Sequence, residues 1–265
     1  MKKNRTGVEI NAQQAFEKLF TPPSNPFPEH ELDLLEKAEN LFMTHDNQPI
    51  ALYAWGKGPT VLLVHGWGSR GAVFGDFVWP LVESGYRVVS FDVPAHGRSG
   101  GTYANHLVFA GAIRAVSTSQ SPLHAIIAHS IGAVGTILAL GGGLCVGRVV
   151  LLACSPWFSY VLKAFLSSVK ISKTEEEAFI RLIEERLGKD VWEPSTGNRI
   201  LPGLNVPALL FHDRQDRDVP IEHGIAIARA WPGARLVKTS RLGHRKILTD
   251  PQVIEEAIGF IREMP

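Results

Sequence analysis

The stretch Ala125-Ile126-Ile127-Ala128-His129-Ser130-Ile131-Gly132 decides the fold. Its four opening residues are apolar without a break, as in a strand covered on both faces, and Ala133 to Leu140 directly behind it reads as a helix. A serine caught between the two occupies a sharp strand-to-helix turn. Strand and helix pass close there, so the residues two before and two after must be small, and Ala128 and Gly132 are. Its hydroxyl then stands exposed above the end of the sheet. Taken alone, the same pentapeptide is equally a helix with a serine N-cap, so the surroundings have to decide.

Outward from this turn the chain alternates strand and helix. Thr60 to Val64, Tyr86 to Phe91, Val149 to Ala153 and Ala208 to Phe211 repeat the buried-strand pattern, and Ala234 to Thr239 is the last strand. Leu41 to His45 and Ile50 to Trp55, joined at Asp46-Asn47, predict an antiparallel hairpin ahead of them. The last helix follows Asp250-Pro251, with Val253, Ile254, Ala257, Ile258 and Ile261 on one stripe. The fold class is α/β, a mostly parallel central sheet with helices on both faces.

Three regions are distinguished. Residues 1–35 form an N-terminal arm, with a short helix over Ala12 to Phe20 ahead of Pro22, Pro23, Pro26 and Pro28, and no readable role. Residues 36–154 and 203–265 form the core. Residues 155–202 are more than a crossover needs and carry two helices of their own, a helical lid over the strand ends. In its first helix Ser155-Pro156 stand at the cap, and Phe158, Val161, Leu162, Phe165 and Val169 share one face. The second opens on a capping box, Thr174 to Glu177, and stops at Gly188.

After the strand ending at Val64, His65-Gly66-Trp67-Gly68 is a glycine-rich turn that aims a backbone N–H at a developing oxyanion. The hole is assigned to the amides of Trp67 and Ile131. His65-Gly-Trp-Gly, then Asp92-Val-Pro-Ala-His-Gly-Arg-Ser99, then the serine turn, in that order and spacing, resemble the α/β-hydrolase superfamily, in particular its lidded bacterial esterase, lipase and peptidase-like members. The resemblance covers roughly Ala51 to Phe260. It departs at Ala128 and Ala95, where the family has glycine.

The resemblance implies where the other groups lie. The family's acid follows the next-to-last main strand in a Gly-x-x-Asp-x-x-Val-Pro segment, matched here by Asp213 to Pro220, so Asp216 takes that role and Asp213 stands in the glycine position. Asp213 and Asp218 are read as solvated loop carboxylates. The family's base sits in a Gly-His pair after the last strand, which is Gly243-His244. Serine, acid and histidine then follow in the order this fold uses. His65, His96, His129 and His212 are read as hydrogen-bonding loop residues, and His65, Gly66, Trp157 and Phe158 as the groups nearest the substrate. Trp157, Phe158, Tyr160 and Phe165 suggest an apolar pocket, or lid residues packing on the body.

The implied reaction is cleavage of an ester or related acyl bond by Ser130, His244 and Asp216. Acyltransfer, carbon–carbon bond hydrolysis, haloperoxidase chemistry and a non-catalytic ligand-binding role stay open. Cofactors and metals are not called for: no pair among the ten histidines has ligand spacing with a nearby carboxylate. Lysine and arginine number 27 against 26 acids, mixed along the 265 residues, which points to a small-molecule acyl substrate and away from nucleic acid or an anionic membrane. No run reaches the length of a membrane span and no signal peptide is readable, so the expected location is cytoplasmic. Cys145 and Cys154 are read as reduced core thiols.

Overall fold

The computed structural model describes residues 9–154, 158–192 and 199–263. Trp157 and the Ser155-Pro156 cap lie outside them. The strands are β1 (Glu39–His45), β2 (Gln48–Trp55), β3 (Thr60–Val64), β4 (Arg87–Phe91), β5 (Leu123–His129), β6 (Arg148–Leu152), β7 (Ala208–Asp213) and β8 (Ala234–Thr239), in one sheet ordered β1-β2-β4-β3-β5-β6-β7-β8. β1 and β2 are antiparallel, β2 meets β4 antiparallel, and every pairing from β4 across to β8 is parallel. The hairpin turns at Asp46 and Asn47, with φ of 48° and 58°. That left-handed pair matches the strand twist and is one that Asn and Asp tolerate.

Ten helices follow in chain order among the described residues: α1 (Ala12–Phe20), α2 (Glu29–Glu36), α3 (Gly75–Glu83), α4 (His106–Ser119), α5 (Ile131–Gly141), α6 (Phe158–Ser168), α7 (Lys173–Leu187), α8 (Ile221–Ala230), α9 (Gly243–Lys246) and α10 (Pro251–Arg262). Alternation along each strand sorts the core into two layers. Leu62 and Val64 of β3 pack with Phe109, Ile113 and Ile137 of α4 and α5 on one face. Val61 and Leu63 pack with Phe77 and Leu81 of α3 and with Ile254 and Ile258 of α10 on the other. Burial on both faces is why β3 and β6 are apolar after their first residues, Thr60 and Arg148.

A third cluster stands apart from the sheet. Phe16 and Phe20 of α1 are buried against Val169, Ile171, Phe179 and Ile183. The Ala12 amide donates to Glu175 Oε2 at 2.7 Å, the Ile10 amide to the Lys170 carbonyl at 2.9 Å, and Arg186 Nη2 to Gln13 Oε1 at 2.9 Å. The N-terminal helix is therefore packed into the segment inserted between β6 and β7.

Two readings are corrected. α7 is capped by Ser172, whose hydroxyl accepts from the Glu175 amide, and begins at Lys173, so the Thr174 box lies inside the helix; Ser172 already holds the extended conformation a cap needs. Its stop at Gly188 stands, with φ of 79°. Cys154 is buried but Cys145 is exposed, in the turn after α5 and not in a strand.

Candidate active site

Ser130 occupies the turn between β5 and α5 with φ 54° and ψ −122°, a conformation a serine holds only when its surroundings impose it. It stands where an N-cap would, yet its side chain makes no cap bond. Ser130 Oγ instead lies 3.0 Å from His244 Nε2. Gly132 permits the geometry: a Cβ there would run into the carbonyl oxygens of His65 and Val64, the end of β3 that α5 crosses.

His244 lies in α9, the single helical turn after β8, and its Nδ1–H donates to Asp216 Oδ2 at 2.8 Å. Asp216 Oδ1 accepts from the amides of Asp218 and Val219 at 2.9 and 2.8 Å. Burial pushes the Asp216 carboxyl upward, but the bond from His244 and those amides outweigh it and hold it below the usual carboxylate range. A carboxylate, an imidazole and a hydroxyl thus form one hydrogen-bonded line at the carboxyl ends of β5, β7 and β8.

Asp213 is not a solvated loop carboxylate. It is fully buried, and it accepts from the Gln215 amide at 2.9 Å through Oδ1 and from Thr239 Oγ1 and the Leu242 amide at 2.9 and 3.0 Å through Oδ2. It thereby ties the loop carrying Asp216 to the loop carrying His244. Burial raises its pKa, and the hydrogen bonds, led by that from Leu242, bring it below the ordinary value. Asp218 is exposed, as read. Ala95, in the other position where glycine is usual, holds φ of 68°, which explains the preference for glycine there.

The buried histidines hold the turns. His65 is fully buried, with Nδ1–H donating to the Gly66 carbonyl at 2.7 Å and Nε2 accepting from the Val93 amide at 3.0 Å, which leaves no polar atom for a substrate; its expected contact gives way to a turn-holding role. His129 Nε2–H donates to the carbonyl of His244 at 2.8 Å. Burial lowers both, His65 to about 4 and His129 to about 3, so they are neutral. His212 donates to the Val219 carbonyl at 2.8 Å, supporting the Asp216 loop from below.

The turn carrying Trp67 is braced by the N-terminal arm. Arg70 pairs with Glu31 at 2.8 Å, donates to the Asn25 carbonyl at 2.8 Å and lies 4.4 Å over the Phe27 ring, while Pro23 covers Gly68. Sequence reasoning passed over this brace because none of its residues belongs to a motif. Among the described residues the amides of Trp67 and Ile131 donate none of the loop and cap backbone hydrogen bonds. Phe158 stacks on Phe20, with ring centroids 6.2 Å apart, and meets the His106 ring at a tilt, 4.9 Å between centroids. Phe165 packs on Phe179.

A mostly parallel sheet entered by an antiparallel hairpin, with a strained serine turn and a histidine–carboxylate pair on the loops after the last two strands, defines a class. Residues 61–257 match the alpha/beta hydrolase family, and the chain belongs to it. Among curated relatives, the pimeloyl-[acyl-carrier protein] methyl ester esterase of Vibrio atlanticus (strain LGP32) is 27% identical over 252 residues, which cover 78% of this chain and 96% of that one. The esterase of the same description from Vibrio parahaemolyticus serotype O3:K6 is 32% identical, over 74% and 91% of the two chains. The solved esterase from Exiguobacterium antarcticum superposes with a TM-score of 0.66 at 18% identity, over 85% of this chain and 100% of the other, a likeness of fold.

Proposed function

We propose that the chain is an esterase-type serine hydrolase in which Ser130 is the nucleophile, His244 the general base and Asp216 the group that orients and stabilises it. The observation that carries this reading is the unbroken line from Asp216 Oδ2 through His244 to Ser130 Oγ, at 2.8 and 3.0 Å. His244 Nε2 takes the Ser130 proton as Oγ bonds to the ester carbonyl carbon. The tetrahedral oxyanion is received by the amides of Trp67 and Ile131, whose absence from the loop and cap backbone hydrogen bonds among the described residues suits the task. The imidazolium then gives its proton to the leaving alkoxide. Water, deprotonated by His244, attacks the acyl-enzyme, and the proton returns to Ser130 as the carboxylic acid departs. Asp216, held ionised, stabilises the imidazolium at both steps.

The substrate we infer is a methyl ester on an acyl chain joined to a carrier. Its support is the likeness to the Vibrio esterases along nearly their full length. α6 and α7 with α1 form the cover over the site in this reading. Among the described residues no helix is long and apolar enough to cross a membrane.

The test is fluorophosphonate labelling together with hydrolysis of nitrophenyl and methyl esters by wild type and Ser130→Ala. Labelling and turnover lost together in the variant support the reading. A folded wild type that neither labels nor cleaves any ester overturns it.

A further inference from the structure

α1 has two faces. Ala15, Phe16 and Phe20 are buried toward the inserted helices. Gln14, Glu17, Lys18 and Thr21, spaced i, i+3, i+4 and i+7, lie along another stripe and form one wall of an open groove of about 790 Å³. Pro22, Pro23, Trp67, Thr102 and Tyr103 complete it. The C-terminal end of this wall is fixed in place. Pro23 sits so close over Gly68 that a Cβ there would meet Pro23 Cγ at 2.8 Å, and the Ala104 amide donates to the Phe20 carbonyl at 2.8 Å. The edge-on contact of Phe16 with Tyr103, at 5.7 Å between centroids, joins the two walls. Trp67, whose amide is a proposed oxyanion donor, lines the groove.

We propose that this groove is a substrate subsite for an extended, amide-bearing chain of the pantetheine type, the arm that links an acyl group to its carrier. The proposal rests on the esterase reading above and adds to it where the non-reacting part of the substrate lies. Three features select this ligand. The lining sets hydrogen-bonding groups, from Gln14, Glu17, Lys18 and Thr21 on the α1 wall and from Thr102, beside apolar surface from Trp67, Tyr103, Pro22 and Pro23. A chain of short methylene runs separated by amides has partners for both kinds of surface, whereas a plain alkyl tail is better served by an enclosed apolar pocket. The groove is open along its length, as an arm still tethered to a protein requires. From Gln14 to Thr21 the helix advances about 10 Å, the length of roughly three extended peptide-like units. The α1 wall also lies outside residues 61–257, the part shared with the family, so this subsite is a property of the arm.

The probe is the pantetheine thioester of monomethyl glutarate, titrated by calorimetry and by saturation-transfer NMR into the Ser130→Ala protein, where nothing is consumed. Glu17→Trp and Thr102→Trp, made separately in the same background, fill the groove from opposite walls, and thermal melting checks that each is folded. Displacing the ligand from the contacts along one wall weakens binding by roughly tenfold or more. We expect that loss in both variants and NMR contacts from the pantetheine methylenes to Trp67 and Tyr103. The proposal is overturned if the probe does not bind the Ser130→Ala protein, or binds both filled variants with unchanged Kd. Failure of the esterase reading shows separately, as a wild type that cleaves no ester while the probe still binds in the groove.

Discussion

Replacing Asp213 by alanine tests the claim that the two loops of the site are held as one unit. The carboxylate is fully buried and receives three hydrogen bonds, from Gln215, Thr239 and Leu242. A bond to a charged acceptor contributes about 1.5–3 kcal/mol, and a buried donor left unpaired costs about 1–3 kcal/mol. The Thr239 hydroxyl and the two amides are near enough to the surface for water to recover part of this, so Asp213→Ala should destabilise the protein by about 2–4 kcal/mol. For a chain of this size that is a fall in Tm of about 5–12 °C. The Asp213 pKa is lowered in the folded state, so its contribution is complete above the unfolded carboxyl value of 3.8 and is lost as pH falls through the folded value; the difference between wild type and variant should shrink there. Urea denaturation at pH 7 and ester turnover are the assays, with kcat expected to drop by about ten- to a hundredfold as His244 and Asp216 lose their common anchor. A destabilisation below about 1 kcal/mol with unchanged kcat would refute the reasoning and return Asp213 to the status of an ordinary loop residue.

Other outcomes follow from the same geometry. Asp216→Asn should keep the fold and reduce ester turnover by about 10⁴, because the amide no longer holds the His244 tautomer; a loss under tenfold would remove Asp216 from the relay. Gly132→Val should abolish fluorophosphonate labelling, since its side chain would meet the carbonyls of Val64 and His65, and retention of labelling would show that α5 moves freely. Burial lowers His106 to about 4 from its ordinary 6.5, so the unfolded chain binds its proton first and stability falls as pH drops from about 6.5 toward 4. His106→Phe should accordingly lose about 2 kcal/mol less stability than wild type between pH 7 and pH 5 in urea titrations; equal losses would contradict the neutral buried state.

The central strands were readable because β3, β5, β6 and β7 are buried on both faces, and double burial writes an unbroken apolar run into the sequence. Ser130, Asp216 and His244 could be singled out because each follows a strand, and strand ends converge when a sheet is parallel. The Asp213 carboxylate was misjudged for a physical reason: polarity in a loop reads as solvation, and only the meeting of the β7 and β8 loops reveals its three donors. His65 likewise looked available to a ligand until the Val93 amide, just past the end of the neighbouring β4, was seen to occupy it. The role of α1 was out of reach, since Phe16 and Phe20 are an ordinary apolar stripe whose partners, Phe179 and Ile183, come from a distant part of the chain.

That distance has a kinetic meaning. The Ala12 amide and the Glu175 carboxylate are 163 positions apart. Joining them closes a loop that spans most of the domain, and the entropy of closure is recovered only after the sheet and α7 are in place. The arm should therefore dock late in folding and, held by a small satellite core, be among the first elements to open. In native-state hydrogen exchange, the amides of α1 should exchange ahead of those of β3 and β5, so that the arm loosens while the sheet stays closed.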